Sequence, residues 1–147
     1  MTPEAAFAAA NLVALLSWAI LALGPWLGAR PGAVARIIAG GVAPALFAAA
    51  YVGLVAVHFS GGRGGGFSTL AAVARLFENP WLLLAGWLHY LAFDLLVGCA
   101  EERDARERGL PRGLLLPCLG LTFLFGPAGW LAYQAVRAAA APRPGPA

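Results

Sequence analysis

Four runs of apolar residues, each about as long as a bilayer's hydrocarbon core is thick, limit this chain more than any motif in it does. Crossing ~30 Å of hydrocarbon takes about 20 helical residues, and runs of that order fall near residues 5–27, 34–59, 80–99 and 113–136. Of the 147 residues, 61% are hydrophobic and 12% charged, against ~25% charged in an average soluble domain. In lipid the backbone finds no water, so such a chain closes its hydrogen bonds within helices. The expectation is an all-α, polytopic membrane protein. Residues 1–137 would form a single domain of four transmembrane helices, and 138–147 a disordered tail.

The connectors refine this picture. No Lys or Arg precedes the first run, and Ala5 to Leu23 is longer than a signal peptide's ~7–15 residue apolar region, so it reads as a retained span. With no Ser- and Arg-rich transit peptide in view, the sequence points to a bacterial inner membrane. Span one closes at Gly24-Pro25-Trp26, where Pro ends the helix and Trp suits the headgroup level. In span two, Pro44, Phe47, Tyr51 and His58 share one stripe at about 100° per residue. SGGRGGGFS, residues 60–68, reads as a flexible connector in water. Phe67, Leu70, Val73 and Phe77 then have the spacing of a short interfacial helix between spans two and three, capped by Ser68 and ended by Asn79-Pro80, which opens span three. Beyond it, CAEERDARERGLPRG interleaves four acids with four Arg. Glu102 with Arg106 and Asp104 with Arg108 are acid-first i,i+4 pairs, so span three continues as a solvated helix to Gly109. Span four is interrupted by Pro117 and by Gly126-Pro127-Ala128-Gly129. Six Arg in the loops after spans one and three, against four on the other side, favour both termini outside.

Within GWLHYLAFDLLVG, residues 86–98, a His, a Tyr and an Asp interrupt the lipid-soluble pattern. A charged side chain in mid-membrane costs roughly 2.5 kcal/mol or more, so each needs a partner. His89 and Asp94 are about 140° apart around a helix and roughly 7.5 Å apart along it, so partners come from another span or from a bound molecule. The polar residues available are Asn11, Ser17, Trp18, Tyr51, His58, Thr122, Tyr133 and Gln134. With no second carboxylate expected in any span, a multi-carboxylate metal site is unsupported; His58 and His89 sit at different depths, which disfavours a bis-histidine haem. Cys99 and Cys118 match neither a zinc site nor a redox pair. The net charge of +3 is scattered over loops, so nucleic-acid binding has no basic stripe to use. No cofactor and no metal is expected.

NPWLLLAGWLHYLAFDLLVG, an Arg/Glu loop and LPCLGLTFLFGPAGWLAY together resemble the neoxanthin-synthase-like, or abscisic-acid-deficient-4-like, family of small four-span membrane proteins. The pairing of W-x-H-Y-x-x-F-D with T-F-x-F-G-P-x-G carries the resemblance, over roughly residues 79–133. Plant members are associated with converting violaxanthin to neoxanthin in plastid membranes. This chain differs in its Gly-rich second loop, and it is expected to differ in having no transit peptide. The resemblance implies an apolar polyene or isoprenoid as substrate and a redox-neutral isomerisation, which needs one acid, one base and no redox cofactor. His89 and Asp94 would be the acid–base pair, in either order, and Tyr90 a donor to substrate oxygen. Trp87, Phe93, Tyr51, Thr122 and Phe123 would line the site, shaped by the Gly126-Pro127 break. Two other readings stay open: a carotenoid, retinoid or lipid binding or assembly module, and a small proton-coupled transporter built as a homo-oligomer. Membrane lipid is a partner in all three.

Overall fold

The computed structural model describes residues 1–59 and 64–140, and their regular structure is all helical. Helix α1 spans Pro3–Leu23, with Thr2 as its cap: Oγ1 accepts from the Ala5 N–H at 3.2 Å. One turn of 3-10 helix, Gly24–Leu27, follows, and Gly28 at φ 117° reverses the chain. Helix α2 (Ala29–Ile37) passes through a π turn, Ile38–Val42, into α3 (Ala43–His58). The π turn has a local cause. Pro44 has no N–H to give the Gly40 carbonyl, and the wider turn, in which the Ala43 N–H reaches back to Ile38, absorbs the mismatch. Helix α4 is Leu70–Phe77 and α5 is Pro80–Glu107, with Asn79 Oδ1 accepting from the Trp81 N–H at 2.9 Å. Helices α6 (Arg112–Phe125) and α7 (Pro127–Ala139) complete the described chain.

Three helical stretches are long and apolar enough to cross a membrane: Pro3–Leu27, Ala29–His58 and Pro80–Glu107. α5 is the centre of the packing. α1 runs alongside it in the same direction, with Phe7 against Trp87 and Trp18 laid on Gly98, where a side chain would collide with the indole. α3 runs antiparallel: His58 stacks on Trp81 at 5.4 Å, Tyr51 meets His89 at 5.7 Å, and Gly40 lies against Cys99. Ala10, Ala14, Ala39 and Ala43 are buried at these contacts; small residues let helices approach closely where lipid supplies no hydrophobic drive. Leu12, Leu15, Leu16, Leu46, Val52 and Val57 point outward, an apolar exterior suited to lipid.

The sequence and the structure differ in four places. The cap of α4 is Thr69, whose Oγ1 accepts from the Ala72 N–H at 3.1 Å, and not Ser68. Of the Gly-rich connector, residues 60–63 lie outside the described residues; of the tail, 141–147 do, while α7 carries the chain in helix to Ala139.

The charged stretch after residue 99 does continue α5, and both acid-first pairs form: Arg108 Nε holds Asp104 at 2.9 Å, and Arg106 Nε lies 3.7 Å from Glu102. It is not simply a solvated face, because Glu101 and Glu102 are buried at 2% and 4% exposure. The acids there are sandwiched between helices.

The largest departure is the fourth run. Residues 113–136 do not form one spanning helix but two helices folded against each other at Gly126, which adopts φ 42° and ψ −95°. On a straight helix Thr122 and Gly129 would stand about 10.5 Å apart; here a Cβ on Gly129 would overlap the Thr122 backbone. α6 climbs antiparallel to α5, from Thr122 beside Glu101 to Gly126 beside Asp94. α7 then descends, bringing Tyr133 and Arg137 to Asp104. Proline 127, with no N–H, starts the second helix where that group would be unpaired anyway. In consequence Pro3, near Pro80, and Arg137, near Asp104, stand at opposite ends of the bundle, not at the same end.

Candidate functional site

The polar residues of α5 separate onto different faces. His89 points toward α3 and α4, into a groove of about 470 Å3 walled by Tyr51, Val55, Phe59, Phe67 and Phe77. Gly86 makes room for that wall: a Cβ there would stand 2.8 Å from Phe77 Cε1. The imidazole packs between the rings of Tyr51, at 5.7 Å, and Phe93, at 4.6 Å. Phe93 itself is turned outward.

Asp94 takes the other side, against the α6–α7 hairpin. A Cβ on Gly126 would lie 2.7 Å from Asp94 Oδ1, so the glycine at the hairpin tip is what admits the carboxyl group. Tyr90, one turn earlier, brings its hydroxyl toward this carboxyl, yet Oδ2 is buried without a hydrogen-bond partner. An unmade bond to a buried polar atom costs about 1–3 kcal/mol, so this oxygen is a point of stored polarity in an apolar setting. His89 and Asp94 therefore do not share one cavity.

The remaining sequence candidates also divide. Trp87 faces α1, donating its Nε1–H to Asn11 Oδ1 at 2.8 Å and stacking on Tyr90 at 5.3 Å. Phe123 packs on Trp18 at 5.6 Å. Thr122 is fully buried and binds Glu101, while Pro127 is exposed at the start of α7. Tyr51 alone joins His89 in the groove, and Gly126 with Tyr90 joins Asp94.

Glu101, which the sequence expectation leaves out, and Asp104, which it reads only as a solvated partner of Arg108, complete the hairpin face. Glu101 lies two turns beyond Asp94 on the same side of α5, so a second carboxyl group does sit within the helix that carries Asp94. Thr122 Oγ1 is 3.0 Å from both Glu101 oxygens and 3.0 Å from the Cys118 carbonyl. One hydroxyl proton cannot serve both neighbours; the arrangement closes when the carboxyl group donates to Oγ1 and Oγ1 donates to the carbonyl. Asp104, a further turn on, accepts from the Tyr133 hydroxyl at 2.7 Å and pairs with Arg108 and Arg137. The signal was present as spacing: Asp94 and Glu101 are seven apart, so they share a face. The dense charge around Glu101 masked it, since charge runs ordinarily read as solvated.

Compared with known proteins, residues 5–133 match the family model ABA4-like, described as ABA DEFICIENT 4-like. No curated protein and no solved structure matches the chain.

Proposed function

Because the chain belongs to the ABA DEFICIENT 4-like family, we propose that it is a membrane-embedded protein that takes the cyclic end of a carotenoid-type polyene into the groove beside His89 and isomerises it without net redox change. The observation that carries this reading is the groove itself: about 470 Å3, apolar, aromatic-walled, with one imidazole at its edge. Ligand pockets run from roughly 300 to 1,000 Å3 and are mostly apolar with a few placed polar groups.

For a ring carrying a 5,6-epoxide, the reaction moves one proton off carbon and one onto oxygen. His89 takes the proton from the polyene carbon next to the ring. The electron pair of that C–H bond becomes the new C=C of an allene, the adjacent C–O bond of the epoxide breaks, and the oxygen takes a proton to become an alcohol. Tyr51, which lines the same groove, gives that proton; the sequence leaves acid and base undivided between His89 and Asp94, with Tyr90 as a donor to substrate oxygen. Asp94 and Tyr90 lie on the hairpin side, where they fix the wall of α5 behind the groove. Atoms and electrons balance with no further reactant.

A binding or assembly role without turnover is the second reading, and it is favoured by the groove's holding one imidazole in a lining otherwise apolar and aromatic. One experiment addresses both. The protein is expressed in bacteria accumulating β-carotene, zeaxanthin or violaxanthin, and the pigments are separated and weighed. A new pigment of unchanged mass, lost with His89→Gln, supports the isomerase; unaltered pigment that copurifies supports binding; the absence of both results sinks the carotenoid reading.

The reading also includes a topology: three crossings, with α6–α7 entering from one side as a re-entrant hairpin and α4 lying at the opposite interface. Its support is the distribution of charge. Among the described residues Arg30, Arg36, Arg103, Arg106, Arg108, Arg112 and Arg137 gather at one end, tied there by Arg36 to Glu102, Arg112 to Pro25 and Arg137 to Asp104; the other end has Arg75. Under the positive-inside rule the arginine end faces the cytoplasm.

A further inference from the structure

A separate cavity of about 230 Å3 opens at the arginine end, between the end of α1 and the α5–α6 connection. It is unlike the His89 groove in carrying both signs of charge. Glu102 lines it with a side chain only 5% exposed. Glu102 Oε1 has Arg36 at 3.8 Å and Arg106 at 3.7 Å, both beyond hydrogen-bond reach, and Oε2 is buried with no partner at all. A buried carboxylate oxygen left open in this way calls for a donor. Arg112 stands across the cavity, its guanidinium 5.5 Å over the Trp26 ring and one N–H given to the Pro25 carbonyl at 3.1 Å. Guanidinium has five N–H donors, so Arg112 keeps others for an anion, and Arg106 lines the same space. Leu21, Leu115 and Leu119 continue the cavity in apolar lining.

We propose that this cavity holds the headgroup of an aminophospholipid, its primary ammonium on the Glu102 carboxylate, its phosphate between Arg106 and Arg112, and its glycerol end on the leucines. The chemistry selects this class. A primary ammonium brings three N–H donors and a positive charge to the under-bonded carboxylate, whereas a choline headgroup brings the charge with no donor and a glycerol headgroup brings donors with no charge. The phosphate supplies what the two guanidiniums bind best, an anion with several acceptor oxygens. Trp26, a residue type enriched at the headgroup level, borders the cavity.

The test uses the full chain purified in detergent and native mass spectrometry against phospholipids of identical acyl chains. Phosphatidylethanolamine and its N-methyl, N,N-dimethyl and trimethyl (choline) forms remove donors one at a time at constant charge. The proposal expects retention to fall along that series, by about tenfold or more from end to end, as befits loss of charge-assisted hydrogen bonds. Glu102→Gln should flatten the series, and Arg112→Gln should weaken every member alike. A flat series in the unmodified protein overturns the proposal without relying on any variant's folding. Phosphatidylglycerol retained as well as phosphatidylethanolamine also overturns it. Displacement of the lipid by soluble O-phosphoethanolamine at equal concentration would reassign the cavity to a water-soluble ligand.

Discussion

Gly129→Ala distinguishes the folded-back hairpin from a continuous fourth helix by the sign of its effect. In a straight helix the substitution replaces a helix-weakening residue and should stabilise by about 1 kcal/mol. In the hairpin a Cβ at residue 129 overlaps the backbone nitrogen and the hydroxyl of Thr122. Backbone cannot rotate out of the way, so α7 must move off α6. Forcing a methyl group into such a contact costs about 1–3 kcal/mol. The shift also pulls Thr122 from Glu101, whose 3.0 Å contact lies wholly in the interior, and an unpaired buried polar group adds about 1–3 kcal/mol. Against the propensity gain, a net loss of about 1–5 kcal/mol is expected. Reversible unfolding in mixed micelles with rising dodecyl sulfate, followed by circular dichroism, reads it as an earlier midpoint. A midpoint unchanged or later than that of the unmodified protein would refute the hairpin packing.

Other outcomes follow from the same geometry. Glu101→Gln keeps a donor for Thr122 and should unfold near the parent midpoint, whereas Glu101→Ala opens a cavity and should lose at least about 2 kcal/mol in the same assay. Tyr133→Phe removes the 2.7 Å bond to Asp104, and hydrogen exchange across α7 should speed up while α1 and α3 are unaffected. With Cys99 and Cys118 replaced by Ala, single cysteines at Arg106 and Ala139 should react with a membrane-impermeant maleimide from one side, and a cysteine at Thr2 from the other; a fourth crossing would group Ala139 with Thr2. Gly86→Val should press on Phe77, Cε1 of which already stands 2.8 Å from the Cβ position, and weaken uptake of an apolar polyene measured by pigment copurification.

Where a residue's local chemistry decides its structure, the sequence was readable. Asn79-Pro80 opens α5, the helix ends just short of Gly109 at φ 66°, and the Pro44–Phe47–Tyr51–His58 stripe faces inward. The groove was half readable: Tyr51 and His89 were singled out, but Phe59 was not, because α4's position over α5 depends on tertiary packing. The hairpin was hidden. Gly126-Pro127 reads equally as a kink or a reversal, and the choice is made by what each outcome buries. Reversal brings Tyr133 and Arg137 to Asp104 and matches polar groups that a straight helix would carry past one another. The burial of Glu101 follows from that choice, so no local reading of its charged neighbours reveals it.

The reversal at Gly126 also bears on how the protein is made. α6 has 14 residues, fewer than the roughly 17–25 a spanning helix needs, and α7 brings Gln134 and Arg137 with it. Neither half is a segment that a translocation channel would release sideways into lipid by itself. Thr122 of the first and Tyr133 and Arg137 of the second find polar partners on the last turns of α5, which leaves the ribosome before them. The order of synthesis is thus the order of assembly: three helices enter first and expose a seam of carboxyl groups, and the hairpin closes it afterward. Ribosome stalling before residue 112 should leave that seam open, and a chain released there should be a substrate for quality-control proteases of the membrane.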